Sequence, residues 1–230
     1  MAEIFGTEGA DSLVGGTDAD SLFGLAGDDT LRGLRGKDTL LGNSGNDFLD
    51  GGTDDDWIFA GRGDDEVLGR EGTDVIFGDI GNDVINGEDA SDTIFGNNDQ
   101  DTINGGTSAD SLYGGQGNDS LDGGSENDLL FGDRGNDSFT GGIGDDQFVI
   151  GVGFGTDFIF DFGNGFDSIL LQGGITEADL DLIDSTENVV GSAASDALIL
   201  LRSTGEFLAV LPDTTVAEFN LIKNIQPLII

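Results

Sequence analysis

The chain has 230 residues, of which 41 are glycine, and its 46 acidic residues against 8 basic ones give a formal net charge of −38. Such a charge resists compaction unless cations are bound, and it makes nucleic acid and anionic membrane poor partners. Cysteine and histidine are both absent, which excludes disulfides, thiolate metal sites and catalysis by a serine–histidine pair.

The opening segment, Met1 to Leu13, has no charged region followed by an apolar stretch, and no apolar run approaches the length needed to span a bilayer. The expectation is a chain without a transmembrane segment that, if exported, uses no cleaved N-terminal signal. High charge with abundant glycine also fits a disordered chain. The order of the residues decides between the two.

From Gly6 to Val149 a nine-residue period runs without one insertion. Sixteen aspartates mark it: Asp11, Asp20, Asp29, Asp38, Asp47, Asp56, Asp65, Asp74, Asp83, Asp92, Asp101, Asp110, Asp119, Asp128, Asp137 and Asp146. Two residues after each stands an apolar residue, from Leu13 to Phe148, and five residues before each stands glycine, with Ala60 the exception. In a unit such as Gly114 to Asp122 the first six residues read as a tight glycine-permitted loop. The last three alternate polar, apolar, polar, as a short strand with one side chain inward. Stacked units place the apolar residues in a core and the aspartates in a column. One buried apolar side chain per nine residues is too little to offset the ordering of those nine, and stacked carboxylates repel. A hard divalent cation with oxygen ligands reverses the repulsion. Aspartates that merely cap turns explain single residues but not sixteen in phase.

These units resemble the RTX, or haemolysin-type, calcium-binding nonapeptide repeats, Gly-Gly-x-Gly-x-Asp-x-U-x, over residues 6–149. The resemblance implies an all-β fold: a parallel β-roll or β-solenoid with two nonapeptides per turn, about eight turns in all. It also implies Ca²⁺ between the loops of adjacent turns, held by aspartate carboxylates and loop carbonyls. Seven gaps between eight stacked loops on each edge give about fourteen sites.

Sorting the units by parity exposes a period of eighteen. Two residues before the aspartate, the odd units carry Gly9, Gly27, Gly45, Gly63, Gly81, Gly117 and Gly135, broken only by Asp99, whereas the even units carry glycine in three of eight. The odd edge, Asp11, Asp29, Asp47, Asp65, Asp83, Asp101, Asp119 and Asp137, is therefore expected to hold the stronger sites, with carbonyls near those glycines. The even edge, Asp20, Asp38, Asp56, Asp74, Asp92, Asp110, Asp128 and Asp146, is expected to be weaker or to recruit Asp18 and Asp54. The last position of the even units is apolar, with Phe23, Phe59, Phe77, Phe95, Tyr113 and Phe131 forming a ladder that faces away from the core if strand alternation holds. Such a ladder is either covered within the chain or a surface for self-association.

After residue 150 the period ends. Phe158, Phe160 and Phe162 alternate, a turn follows at Gly163 to Asp167, and Ala197 to Arg202 with Glu206 to Leu211 read as a hairpin. Thr215 to Glu218 fits a capping box opening a short helix. The domains expected are a calcium-binding roll over 1–150 and a β-rich cap over 151–230. The resemblance adds an uncleaved type I secretion signal in the cap, with the export machinery as a partner, although the acid that often precedes its apolar tail is lacking. The expected function is a secreted, extracellular or cell-surface calcium-binding protein with no catalytic residues. The alternatives are an ice-binding or adhesive solenoid, whose threonine ranks are broken at Phe48, Glu66 and Trp57, and an accessory module for a carbohydrate-modifying activity.

Overall fold

The computed structural model describes residues 1–163, 165–184, 197–212 and 225–227. The helix expected at Thr215 to Glu218 lies outside them. The chain winds as a parallel β-solenoid. After β1 (Glu3–Phe5), β2 (Ser12–Val14) and β3 (Ser21–Ala26), each nonapeptide adds one strand, alternately to two facing sheets, as far as β17 (Gln147–Gly151). Up to this point the first sheet takes the odd-numbered strands and the second the even-numbered ones. Pairing joins residues eighteen apart, as in Leu22 with Leu40 and Ile85 with Ile103. Two units therefore make one turn.

The residues two after each aspartate form the core. All are at most 1% exposed apart from the first, Leu13, at 8%. The strands are longer than the triplets read from the sequence, mostly six residues, such as Val75–Ile80. They run through the first glycine and the residue after it because that residue adopts the same left-handed conformation in successive turns. Leu25 (φ 83°) lies beside Asn43 (φ 75°), so the interstrand ladder is kept while the chain turns its corner.

The roll makes about nine turns rather than the eight expected. β18 (Asp157–Ile159) and β19 (Ser168–Gln172) pair in parallel with the preceding turn after insertions that break the nine-residue phase. Asp157 and Asp167 still reach the column positions, 20 and 21 residues after Asp137 and Asp146. The expected hairpin is present as β21 (Ala197–Leu201) and β22 (Glu206–Leu211). β22 joins β18 of the second sheet in parallel, β21 and then β20 (Leu180–Asp184) follow antiparallel, and β23 (Ile225–Pro227) adds to the first sheet. The described end of the roll is thus β-rich, and Ile169, Leu171, Ile199 and Leu208 belong to the same apolar core as the repeats.

Candidate metal columns

Each loop delivers its aspartate at the inner corner where a strand begins, and the eighteen-residue register stacks these corners. Odd aspartates line one edge of the roll and even aspartates the other, and from Asp29 to Asp146 all are at most 3% exposed. One carboxylate oxygen has a fixed task. Oδ1 accepts the backbone N–H of the aspartate one turn earlier, at 2.7 Å from Asp29 to Asp11 and 2.9 Å from Asp101 to Asp83.

The other oxygen separates the column ends from its middle. At the ends, Oδ2 of Asp11, Asp20 and Asp167 accepts the N–H of the residue four before it, Thr7, Gly16 and Gly163. In the thirteen successive aspartates from Asp29 to Asp137, Oδ2 is buried with no hydrogen-bond partner. A buried, unpaired carboxylate oxygen is costly and requires a proton or a cation. Burial, reinforced by neighbouring carboxylates, pushes Asp38 and Asp47 up to about 6, Asp65 and Asp137 to about 7, and Asp56, Asp92 and Asp101 to about 8. The backbone N–H bond to Oδ1 opposes this rise without cancelling it.

Among the described residues, no three acidic side chains converge on one point. A cation here would therefore draw on one carboxylate per turn and edge, with backbone carbonyls completing an oxygen shell of the kind calcium takes. The glycines leave room for this. A Cβ on Gly24 would lie 2.5 Å from Asp29 Oδ2 and 2.8 Å from the carbonyl oxygen of Gly42, so a side chain at this position would collide with both. On the odd edge Gly45 (φ 130°), Gly63 (φ 133°) and Gly81 (φ 133°) lie against the carbonyls of Gly27, Gly45 and Gly63, where no Cβ fits. On the even edge the equivalent Asp54, Ala90, Ser108 and Glu126 adopt φ of 74–79° instead. Asp54 accepts the Gly36 N–H at 3.2 Å, and Asp18 lies 3.9 Å from the terminal amine.

A second ladder escaped the sequence reading. Just before four successive odd aspartates stand Asp28, Asn46, Asp64 and Asn82, and each accepts the N–H of its equivalent one turn on, at 2.9–3.1 Å. The pattern resumes from Asn118 to Asn136 and Thr156. The signal was the run of Asp and Asn at spacing eighteen. The even edge has it only in part, at Asp55, Asn127 and Asp145.

The aromatic residues of the even units lie on the outer face of the first sheet, half-buried. Their rings stack on one another, with centroids 5.0 Å apart for Phe59–Phe77 and Phe77–Phe95 and 4.8 Å for Phe95–Tyr113. Among the described residues, Phe154 packs on the last ring, 5.7 Å from Phe131.

No curated protein matches the chain. The family model of the RTX calcium-binding nonapeptide repeat (four copies) matches it in six overlapping segments that together run from residue 5 to residue 159. That span is more than half of the chain and coincides with the two aspartate columns. The chain belongs to the family of RTX calcium-binding nonapeptide repeat proteins, whose repeats imply Ca²⁺ binding.

Proposed function

We propose that the protein is a secreted, extracellular calcium-binding roll with a structural or interaction role and no catalysis, folded by Ca²⁺ between its stacked loops. The observation that carries this is the run of thirteen buried Oδ2 atoms without partners. At neutral pH a chain of net charge −38 satisfies them far more readily with a divalent cation than by leaving them bare. The aspartates of both edges are the proposed carboxylate ligands, with loop carbonyls completing each site. The odd edge, with its closely stacked glycines, is proposed to hold the stronger sites. Residues 1–150 form the proposed calcium-binding domain and 151–230 the cap, which carries a type I secretion signal in this reading. An unfolded state in low-calcium cytosol and folding on release fit that route.

The aromatic ladder does not favour a carbohydrate platform. Sugars stack on ring faces, and these faces are turned on one another, at 2° between planes for Phe59 and Phe77. The test is far-UV circular dichroism with sedimentation velocity during a Ca²⁺ titration of the full chain. A cooperative gain of β signal with compaction, absent with Mg²⁺, is the expected result. A chain fully folded in chelator at neutral pH overturns the reading.

A further inference from the structure

The strands of the first sheet present two outward rows, the residues one and three after each even aspartate. From Ser21 to Phe131 these rows contain no charged residue over seven turns. The same rows of the second sheet carry Arg32, Asp50, Glu66 and Asp122. On a molecule of net charge −38, these two rows form a strip without formal charge that bears the ring ladder, and the charges of the same strands, Arg62, Asp79, Asp133 and Arg134, lie beyond its border.

We infer that this face is the contact surface of a dimer of the chain, ladder against ladder. Three observations select a second copy over other occupants. From Phe59 to Tyr113 the ring faces are already engaged with one another, at 2–12° between planes, so ligands that bind by stacking on a planar face have little purchase there. The row repeats once per turn, about 4.8 Å, with Leu41 between Phe23 and Phe59, and only a partner with the same period can meet every side chain of it. Another copy has that period by construction. Finally, an uncharged strip is where two copies of a strongly acidic roll approach without opposing their carboxylates, whereas the same rows of the second sheet hold Asp50, Glu66 and Asp122. Near its centre stands Trp57, 51% exposed and 6.2 and 6.5 Å from the rings of Phe59 and Phe77. Half-exposed aromatic residues at the middle of a patch are the usual anchors of an interface. The strip is about 34 Å long but only two rows wide, which is below the ~800 Å² per partner of a standard interface and corresponds to a weak, micromolar association.

The inference requires the roll to be folded, whichever ion folds it, so it fails separately from the calcium reading. The test is sedimentation velocity of the folded full chain across micromolar concentrations, with folding checked by circular dichroism. The wild type is expected to dimerise. Trp57→Glu and Thr93→Glu, which place charge on the strip, should weaken the dimer at least tenfold, and Thr102→Glu, the same change on the second sheet, should leave it intact. The fluorescence of Trp57, the single tryptophan, adds a reading on the unaltered protein, since its emission must shift to the blue as the concentration rises through the dimerisation range. A folded wild type that stays monomeric, a dimer indifferent to both strip charges, or a dimer that forms with no change in Trp57 emission overturns the inference.

Discussion

The two edges of the roll share one inner construction and differ in the outer one. On both, a buried aspartate accepts an N–H from the turn before and leaves its second oxygen unpaired. Outside that column, the odd edge closes its loops with glycines pressed on the carbonyls of the previous turn, except at Asp99, and with a ladder of Asp and Asn, while the even edge mixes such glycines, Gly36, Gly72 and Gly144, with Asp54, Ala90, Ser108 and Glu126 in the left-handed region. The difference teaches that two demands are separable here. The buried carboxylate recurs on every turn, whereas the residue that closes the loop is free to vary, at Asp99 alone on the odd edge and at most turns of the even one.

Withdrawing the cation should abolish the comparison altogether, because both columns carry orphaned oxygens. In chelator at neutral pH the expected outcome is loss of most β signal. Acid should restore part of it. The column aspartates are raised in the folded state, to between about 6 and about 8 for most of them, from an ordinary value of 3.8. Between these limits the folded chain holds protons that the unfolded chain has released, so metal-free stability is fully present below about 3.8 and is lost as pH rises through 6 to 8. Circular dichroism of the chelated chain should therefore show more β structure at pH 4.5 than at pH 7.5. The opposite trend would mean that the carboxylates are not buried in the metal-free fold.

Removing one aspartate at a time tests the two edges separately. Each filled site contributes about 1.4 kcal/mol at ten times its Kd, and one aspartate borders the gaps above and below it, so Asp83→Ala on the odd edge should cost about 3 kcal/mol in calcium. Asp74→Ala on the even edge should cost less, about half as much if its sites are the weaker. Chemical denaturation at fixed calcium measures both, and equal losses would end the ranking of the edges.

The equivalent glycine position should give effects of opposite sign. Gly63 has φ of 133° and the Gly45 carbonyl oxygen 2.0 Å from where a Cβ would stand, so Gly63→Ala must push two turns apart and is expected to cost about 2 kcal/mol or more. Ala90 already bears the strain of φ 75°, and Ala90→Gly should gain up to about 1 kcal/mol. Two losses of similar size would show that the even edge is stacked as tightly as the odd one.

Most of the roll was legible because its constraint is periodic. Leu22, Leu40 and Ile58 are buried for the same reason and at the same phase, so one residue predicts the next. The two-per-turn register was legible as well, because the glycines of one edge alternate with the broken series of the other. The ninth turn was not. Asp157 and Asp167 follow at spacings of 20 and 21, and loops absorb such insertions at little cost while the strand still enters the same corner. The length of the strands was hidden too, since a glycine pair signals a turn whether or not the ladder continues through it. The partnerless Oδ2 atoms lie beyond any sequence, because they depend on which donors the fold leaves within reach.

The smallest effect should come from the outer ladder. Asn46 accepts the Asp64 N–H at 3.1 Å on an exposed loop, so water replaces it in Asn46→Ala, and less than about 1 kcal/mol is expected. On the even edge Asp55→Ala removes the acceptor of the Thr73 N–H, at 3.2 Å, together with the ion pair to Lys37. Exposed pairs of this kind are also worth about 1 kcal/mol or less. Amide hydrogen exchange separates the two, because the Asp64 amide should lose protection in the first variant and the Thr73 amide in the second, each without disturbing the column behind it. If Asn46→Ala cost as much as Asp83→Ala, the outer Asp and Asn residues would have to be part of the metal site rather than its scaffold, and the odd edge would owe its strength to side chains instead of to its glycines.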